Sequence, residues 1–517
     1  MMRLSLQHLL MTALSFAIAC GGDDDADTSL EIPELIADSA VLSGCLGGPT
    51  TAGQSRAKIL ECADEVPQGL LAAGRSGDIV MSNSLVQVVI RGPGAGYLLP
   101  ATSGGNLIDA ARFGRDDVLK ELVPTVEFNT ANYEEIVITE AGDDGPATVV
   151  ARGQAVPLPV MRAFVEVPEV SAILEHHYVL EPDTTRLTMR TFARLVSKDS
   201  PDAIVEIRDL LMVGGSFQNW LPGTGVPSAV GSAPFLASSG AQTSYGLVYP
   251  ATEPGNIQLL ALAAVTSISG QQIRQTAAEP AERYLLIGDG SVESISAEAY
   301  QVRQEATALV SGSISGLPEG GEVEVVVETA SGKPITRARS ESGSYTLSLP
   351  PGSYSLWTES EARDPSTAIQ LSVEANEQLV RDLQVTPQGV LQLSVKGTAQ
   401  EGLPARVAIH REGAEVQIEY TDAAGLLSVN LPPGPYDIDI SRGIEYDAYS
   451  ATAVSVVADS SVELAVVLTR VVDTDGWISV DPHLHTEMSL DSKLTLRDRI
   501  ASIAAEGVEI PVATDHD

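Results

Sequence analysis

The tetrapeptide Leu-Pro-Pro-Gly occurs twice, at Leu349–Gly352 and again at Leu431–Gly434, 82 residues further on. The same offset aligns Glu319-Gly320 with Glu401-Gly402, Val325 with Val407, Val327 with Ile409, and Gly343 with Gly425. A repeat at fixed distance is the mark of one structural unit made twice. In each copy an alternating apolar run meets the Pro-Pro-Gly turn, where proline presets φ and glycine accepts what other residues resist, and a tyrosine then enters the next strand. Residues 306–388 and 389–472 are therefore expected to be two copies of one β-sandwich unit.

At 517 residues the chain is too long for one ordinary core, so three or four domains are expected. From residue 41 to 305 short runs alternate with period two between turn residues. In Arg186–Val196, for example, Leu187, Met189, Thr191, Ala193 and Leu195 share one face, while Arg186, Thr188, Arg190 and Arg194 share the other. This reads as a large antiparallel β-domain. The apolar run starting at Ile257 is too short to span a membrane and reads as a buried strand. Gly92, Gly94 and Gly96 follow a strand but lack dinucleotide-binding spacing, and Pro100 blocks a following helix, so they read as a hairpin or loop. His176 and His177 are adjacent in a strand, point to opposite faces and read as structural.

The N-terminus carries Arg3, an apolar stretch and then Ala17-Ile18-Ala19-Cys20, which resembles a bacterial lipobox. Residues 1–20 are expected to be a lipoprotein signal peptide with Cys20 as the acylated residue, and 21–40 an acidic tether. Ordinary signal cleavage would instead release a soluble, secreted chain. The expected location is the bacterial cell envelope, anchored in a membrane and facing the periplasm or the exterior. Cys45 and Cys62 remain as a pair in that oxidising setting, as a disulfide or as two buried thiols. Acids outnumber bases 69 to 31, a formal charge of -38, which argues against a nucleic-acid partner.

Three of the seven histidines lie in the last 35 residues. Trp477–Val480 reads as a strand ending near Asp481, with His483 and His485 on one side of its extension. Thr495 and Asp498 make a capping signal, Leu496, Ile500, Ile503 and Ala504 form an apolar stripe, and Gly507 closes the helix. Val508–Asp517 reads as a second strand, interrupted at Pro511. Strand, helix and strand in this span form a βαβ unit whose parallel strands bring His483, His485, Asp515 and His516 to one rim. The expected fold class is mainly β: the large antiparallel domain, two sandwiches, and then a βαβ unit.

The stretches Asp481–Ser492 and Ala504–Asp517 resemble the first two motifs of the polymerase and histidinol phosphatase superfamily, and more narrowly its carbaryl-hydrolase-like metallohydrolases. The resemblance covers about residues 477–517 and identifies 473–517 as the N-terminal part of an α/β barrel domain. It implies His483, His485 and His516 as metal ligands and Asp515 as a ligand, a group behind the ligands, or the catalytic carboxylate. Asp481, Ser489 and Asp491 would support the site. It further implies two or three divalent ions, Zn, Mn or Fe, and hydrolysis of a small phosphoester or other ester. Family barrels continue with more strands and ligands, so the chain is expected to be a fragment of a longer enzyme and inactive as it stands. The two repeats resemble carboxypeptidase regulatory-like sandwiches, which implies a spacer or a glycan- or protein-binding module. The alternative reading is a lipid-anchored β-domain binding or scaffold protein without catalysis.

Overall fold

The computed structural model describes residues 32–94, 96, 103–163, 165–197, 199–227, 230–250, 255–259, 265–276, 279–489 and 491–516. The signal segment, Cys20 and most of the tether lie outside the described residues. The described chain is mainly β.

Strands between Ser55 and Gly288 join in one large antiparallel sheet. Near its middle, Ser55–Ile59 pairs with Ile79–Asn83 on one side and touches Asn129–Asp143 on the other. One arm runs through the hairpin Asn129–Asp143 with Ala147–Pro157, then Ala172–Leu180, Arg186–Leu195 and Ala281–Gly288. The other runs through Val86–Ile90, Leu107–Arg112 and Leu119–Val123 to Ile204–Val213 and Val265–Arg274. The sheet curls so that both arms contribute to one core, with Met81, Val88, Leu119, Leu174, Tyr178, Leu211 and Leu285 all 2% exposed or less. Period-two alternation is what permits this, because each strand then offers one continuous apolar face.

The run starting at Ile257 begins inside the strand Gly255–Leu259, with Ile257 buried, and its residues 260–264 lie outside the described residues. The strand Val265–Arg274 pairs antiparallel with Gly255–Leu259, Asn256 opposite Ser269. Among the described residues beyond Ile90 the next regular element is the strand Leu107–Arg112, which pairs antiparallel with Val86–Ile90; Pro100 lies outside the described residues.

Residues Ala308–Val467 form two pairs of small sheets with matching layouts. Val323–Thr329 pairs with Gly352–Glu359, placing Val325 opposite Thr358 and Val327 opposite Leu356. In the second copy Arg406–Arg411 pairs with Gly434–Ser441, placing Val407 opposite Ile440 and Ile409 opposite Ile438. Every one of these positions is displaced by the same 82 residues. Each copy has its own apolar core, around Val325, Leu347 and Leu356 in one and Val407, Leu431 and Ile438 in the other. The helix Val292–Val302 joins the large sheet to the first copy. No helix among the described residues is long and apolar enough to cross a membrane.

Candidate metal centre

Strand Val480–Leu484 lies parallel to Ile510–Ala513, with Val480 opposite Ile510 and Leu484 opposite Ala513. The crossover is the helix Leu496–Ala505, capped as its sequence indicates: Thr495 Oγ1 accepts from Asp498 N at 3.1 Å and donates to Asp498 Oδ2 at 2.6 Å. The first strand begins later than its apolar residues suggest. Trp477 and Ile478 precede it and are 81% and 63% exposed, because pairing starts only where Ser479 O accepts from Glu509 N and Ile510 N. Pro511 sits inside the second strand, opposite Asp481, where the register shifts. The helix stripe is less covered than expected: Leu496 is 40% and Ile500 58% exposed, since a two-stranded sheet is too narrow to cover it.

At the shared rim the three histidines meet. His483 Nε2 stands 2.9 Å from His485 Nε2, and the rings of His485 and His516 are perpendicular with centroids 4.8 Å apart. The other nitrogen of His485, Nδ1, lies 2.8 Å from Asp491 Oδ1 and 3.2 Å from Ser489 Oγ. Ser489 is fully buried; its hydroxyl donates to Asp491 Oδ1 at 2.7 Å and accepts from His516 N at 3.2 Å. Burial works against the Asp491 charge, but hydrogen bonds from His485 and Ser489 prevail and hold its carboxyl at about 2. An ionised Asp491 accepts the proton on Nδ1, which leaves the His485 Nε2 lone pair facing His483.

The donor set suits a divalent ion. Two imidazole nitrogens sharing a tetrahedral ion at ordinary bond lengths stand about 3.3 Å apart, so a small opening of the His483–His485 pair accommodates one. One ligand atom each from His485, Asp491 and His516 also falls within 4.8 Å of the others. With Asp491 on Nδ1, however, the carboxylate orients His485 rather than competing with it, the arrangement found behind metal-bound histidines. His516 Nε2 lies 3.5 Å from Asp491 Oδ2, at the open side of the cluster.

Asp515 has a different placement. Its Oδ1 accepts from Thr486 N at 2.6 Å and its Oδ2 from Thr486 Oγ1 at 3.0 Å, so it ties the two motifs together. Asp481 Oδ1 accepts from His483 N at 3.1 Å. Sequence reasoning missed Lys120, 369 residues before Ser489 and 3% exposed, whose Nζ donates to Ser489 O. Burial pulls Lys120 down to about 8, while Asp491, Asp515 and Glu487 oppose that shift. A lysine between Leu119 and Glu121 carries no local mark of such a partner.

The remaining singled-out residues lie elsewhere. Cys45 and Cys62 form a disulfide with Cα atoms 5.6 Å apart; Asp64 is nearby, but the thiols are spent on each other. His176 is buried on Thr191, and His177 turns to the opposite face onto Glu175, 2.7 Å away.

No protein-family model matches the chain, and no curated protein matches it. Among solved structures, the Bacillus anthracis TIE protein is 14% identical over 60% of this chain, with a TM-score of 0.15, and the chain spans 58% of that protein's length. The shaft pilin SpaA from Lactobacillus rhamnosus GG is 10% identical, with 32% of this chain and 98% of the pilin covered and a TM-score of 0.22. The streptococcal ancillary pilin is 12% identical over 42% of this chain and 80% of its own, at 0.21. At these TM-scores the likeness assigns neither fold nor function.

Proposed function

We propose that the chain belongs to a metal-dependent hydrolase of the polymerase and histidinol phosphatase type, acting on phosphoesters or other small esters. It would be held at the bacterial envelope by a lipid on Cys20. The observation that carries this reading is the convergence of His483, His485 and His516 at the ends of two parallel strands, with Asp491 behind His485. His483 and His485 would hold a Zn, Mn or Fe ion and His516 would stand beside it, while any second or third ion implied by the resemblance would need further ligands. A bound divalent ion there would lower the pKa of a coordinated water and polarise the substrate oxygen. Asp491 keeps the proton on His485 Nδ1, Ser489 fixes both, and Asp515 holds the strand ends in register.

The second reading, an anchored binding or scaffold protein, draws on the open apolar residues Val380, Val416, Leu426 and Val467 of the two small-sheet copies, as a glycan- or protein-binding surface would have. A metal titration separates the two. The chain, stripped with chelator and titrated with Zn²⁺ or Mn²⁺, is expected to bind about one ion per molecule, and His483→Ala to weaken that binding about 10–100-fold. Aryl phosphates and aryl esters are the substrates to try with the loaded protein. Absence of stoichiometric metal in the unmodified chain would leave the scaffold reading standing.

A further inference from the structure

We propose that Lys120, supplied by the large β-sheet, is a positioning residue of the metal centre, so that the centre is a composite of two distant parts of the chain. The inference rests on the metal-centre reading above. Lys120 lies in the strand Leu119–Val123, whose residues are all buried, and its ammonium ends on the carbonyl of Ser489. Ser489 is the hub of the cluster: its hydroxyl touches His485 Nδ1, Asp491 Oδ1 and the His516 amide. One buried cation therefore sets the height and tilt of the peptide from which three site contacts radiate.

The surroundings are shaped for that reach. The chain after Val213 turns through Gly214 and Gly215, and a Cβ on Gly214 would stand 2.2 Å from Leu71 Cδ1 and 2.7 Å from Lys120 Cε. The lysine stem thus occupies space that a side chain at 214 would take. A Cβ on Gly215 would come within 3.2 Å of Glu487 Oε2, so the site loop rests directly on this turn. Lys493, further along the same loop, holds its ammonium 4.0 Å from the centre of the Phe217 ring. Burying an ammonium is costly unless it is paired and hydrogen-bonded. Asp491, Asp515 and Glu487 supply the opposing charge here, and these carboxylates belong to the site or its loop.

A tether that only joins two parts of the molecule would not care about the metal. The test therefore compares Lys120→Met, which keeps the stem and removes the charge, with Lys493→Met, which loosens the same seam without touching Ser489. Two measurements are made on the full chain: amide exchange across residues 486–491 and at His516, and Co²⁺ titration followed by its visible absorption. Lys120→Met is expected to speed exchange there, to weaken Co²⁺ binding about 10–100-fold and to alter the cobalt spectrum, with Lys493→Met close to the parent on the last two. Unchanged exchange and an unchanged spectrum in Lys120→Met would overturn the proposal, as would equal cobalt effects in both variants. If the parent chain binds no Co²⁺ while exchange still responds, the metal reading itself fails and Lys120 reduces to a structural link.

Discussion

At the residue scale, the core of the large sheet is held by charge as well as by apolar packing. Arg283 is about as buried as any leucine around it and grips Asp209 with two nitrogens, while its third contact is Thr191 Oγ1 at 2.9 Å. The same Thr191 hydroxyl lies 2.7 Å from His176 Nδ1, so the imidazole shares a hydrogen-bonded network with the buried guanidinium. Burial, and then the Arg283 charge, push the His176 imidazole well below its usual range. The sign of the pH effect follows. As pH falls below about 6.5 the unfolded chain takes up a proton at this position that the folded chain refuses, so the stability contributed by neutral His176 is full above that pH and declines below it. Between pH 7 and pH 5 the parent is expected to lose melting temperature relative to His176→Gln, every other titrating group being common to both; identical pH profiles in the two proteins would refute the assignment. The reading of His176 and His177 as structural came from alternation alone, but the partner that makes His176 sensitive to acid did not.

At the element scale, the two repeats show what can be read from a pattern and what cannot. Tyr354 donates to Pro350 O at 2.7 Å and Tyr436 to Pro432 O at 2.8 Å, so each Pro-Pro-Gly turn is closed by the tyrosine that follows it. That bond is local and recurs because its sequence recurs. Gly343 and Gly425 are equivalent positions with φ of +73° and +75°, a region costly for any residue with a Cβ. Their surroundings differ. A Cβ on Gly343 would meet Ile314 O at 3.4 Å, an ordinary contact, whereas on Gly425 it would lie 2.0 Å from Val395 O. Gly343→Ala is expected to cost about 1 kcal/mol from the backbone alone and Gly425→Ala clearly more, by urea unfolding of the full chain. Similar losses at the two sites would show that the second turn relaxes. The crossover helix Leu496–Ala505 teaches the converse. Its cap and length follow its sequence, yet its apolar stripe is half open, because coverage depends on neighbouring elements and not on periodicity.

At the scale of the whole molecule, the helix Val292–Val302 is the wedge between the large sheet and the first repeat. Glu293 on this helix accepts from Ser348 N at 2.5 Å, Ser296 meets Thr336 at 3.0 Å, and Arg339 reaches back to Gly240 O at 2.9 Å. Burial raises the Glu293 carboxyl to about 8 from an ordinary value of 4.5. The unfolded chain therefore releases this proton first as pH rises, so the stability that Glu293 contributes falls from about pH 4.5 to about pH 8 and is level above. Glu293→Gln, which keeps the shape and removes the titration, is expected to flatten that decline and to melt higher than the parent at pH 8. A variant less stable than the parent at pH 8 would mean that the charged form is what the seam requires.

The sequence by itself determined the elements and their local closures: period-two strands, the twofold Pro-Pro-Gly unit, the capped helix, and a βαβ order that brings His483, His485 and His516 to one rim. These depend on residues a few positions apart, where backbone geometry alone fixes which side chains share a face. It also marked Ser489 and Asp491 beside the histidines, through resemblance rather than through spacing. Only the tertiary structure decided that Asp515 ties onto Thr486, that Arg283 charges the neighbourhood of His176, and that Lys120 ends on the Ser489 carbonyl. Each of these joins groups from separate strands or motifs, and for Lys120 the partner is 369 residues away. A buried charge chooses its partner by proximity after the chain has folded, and no periodicity records that choice.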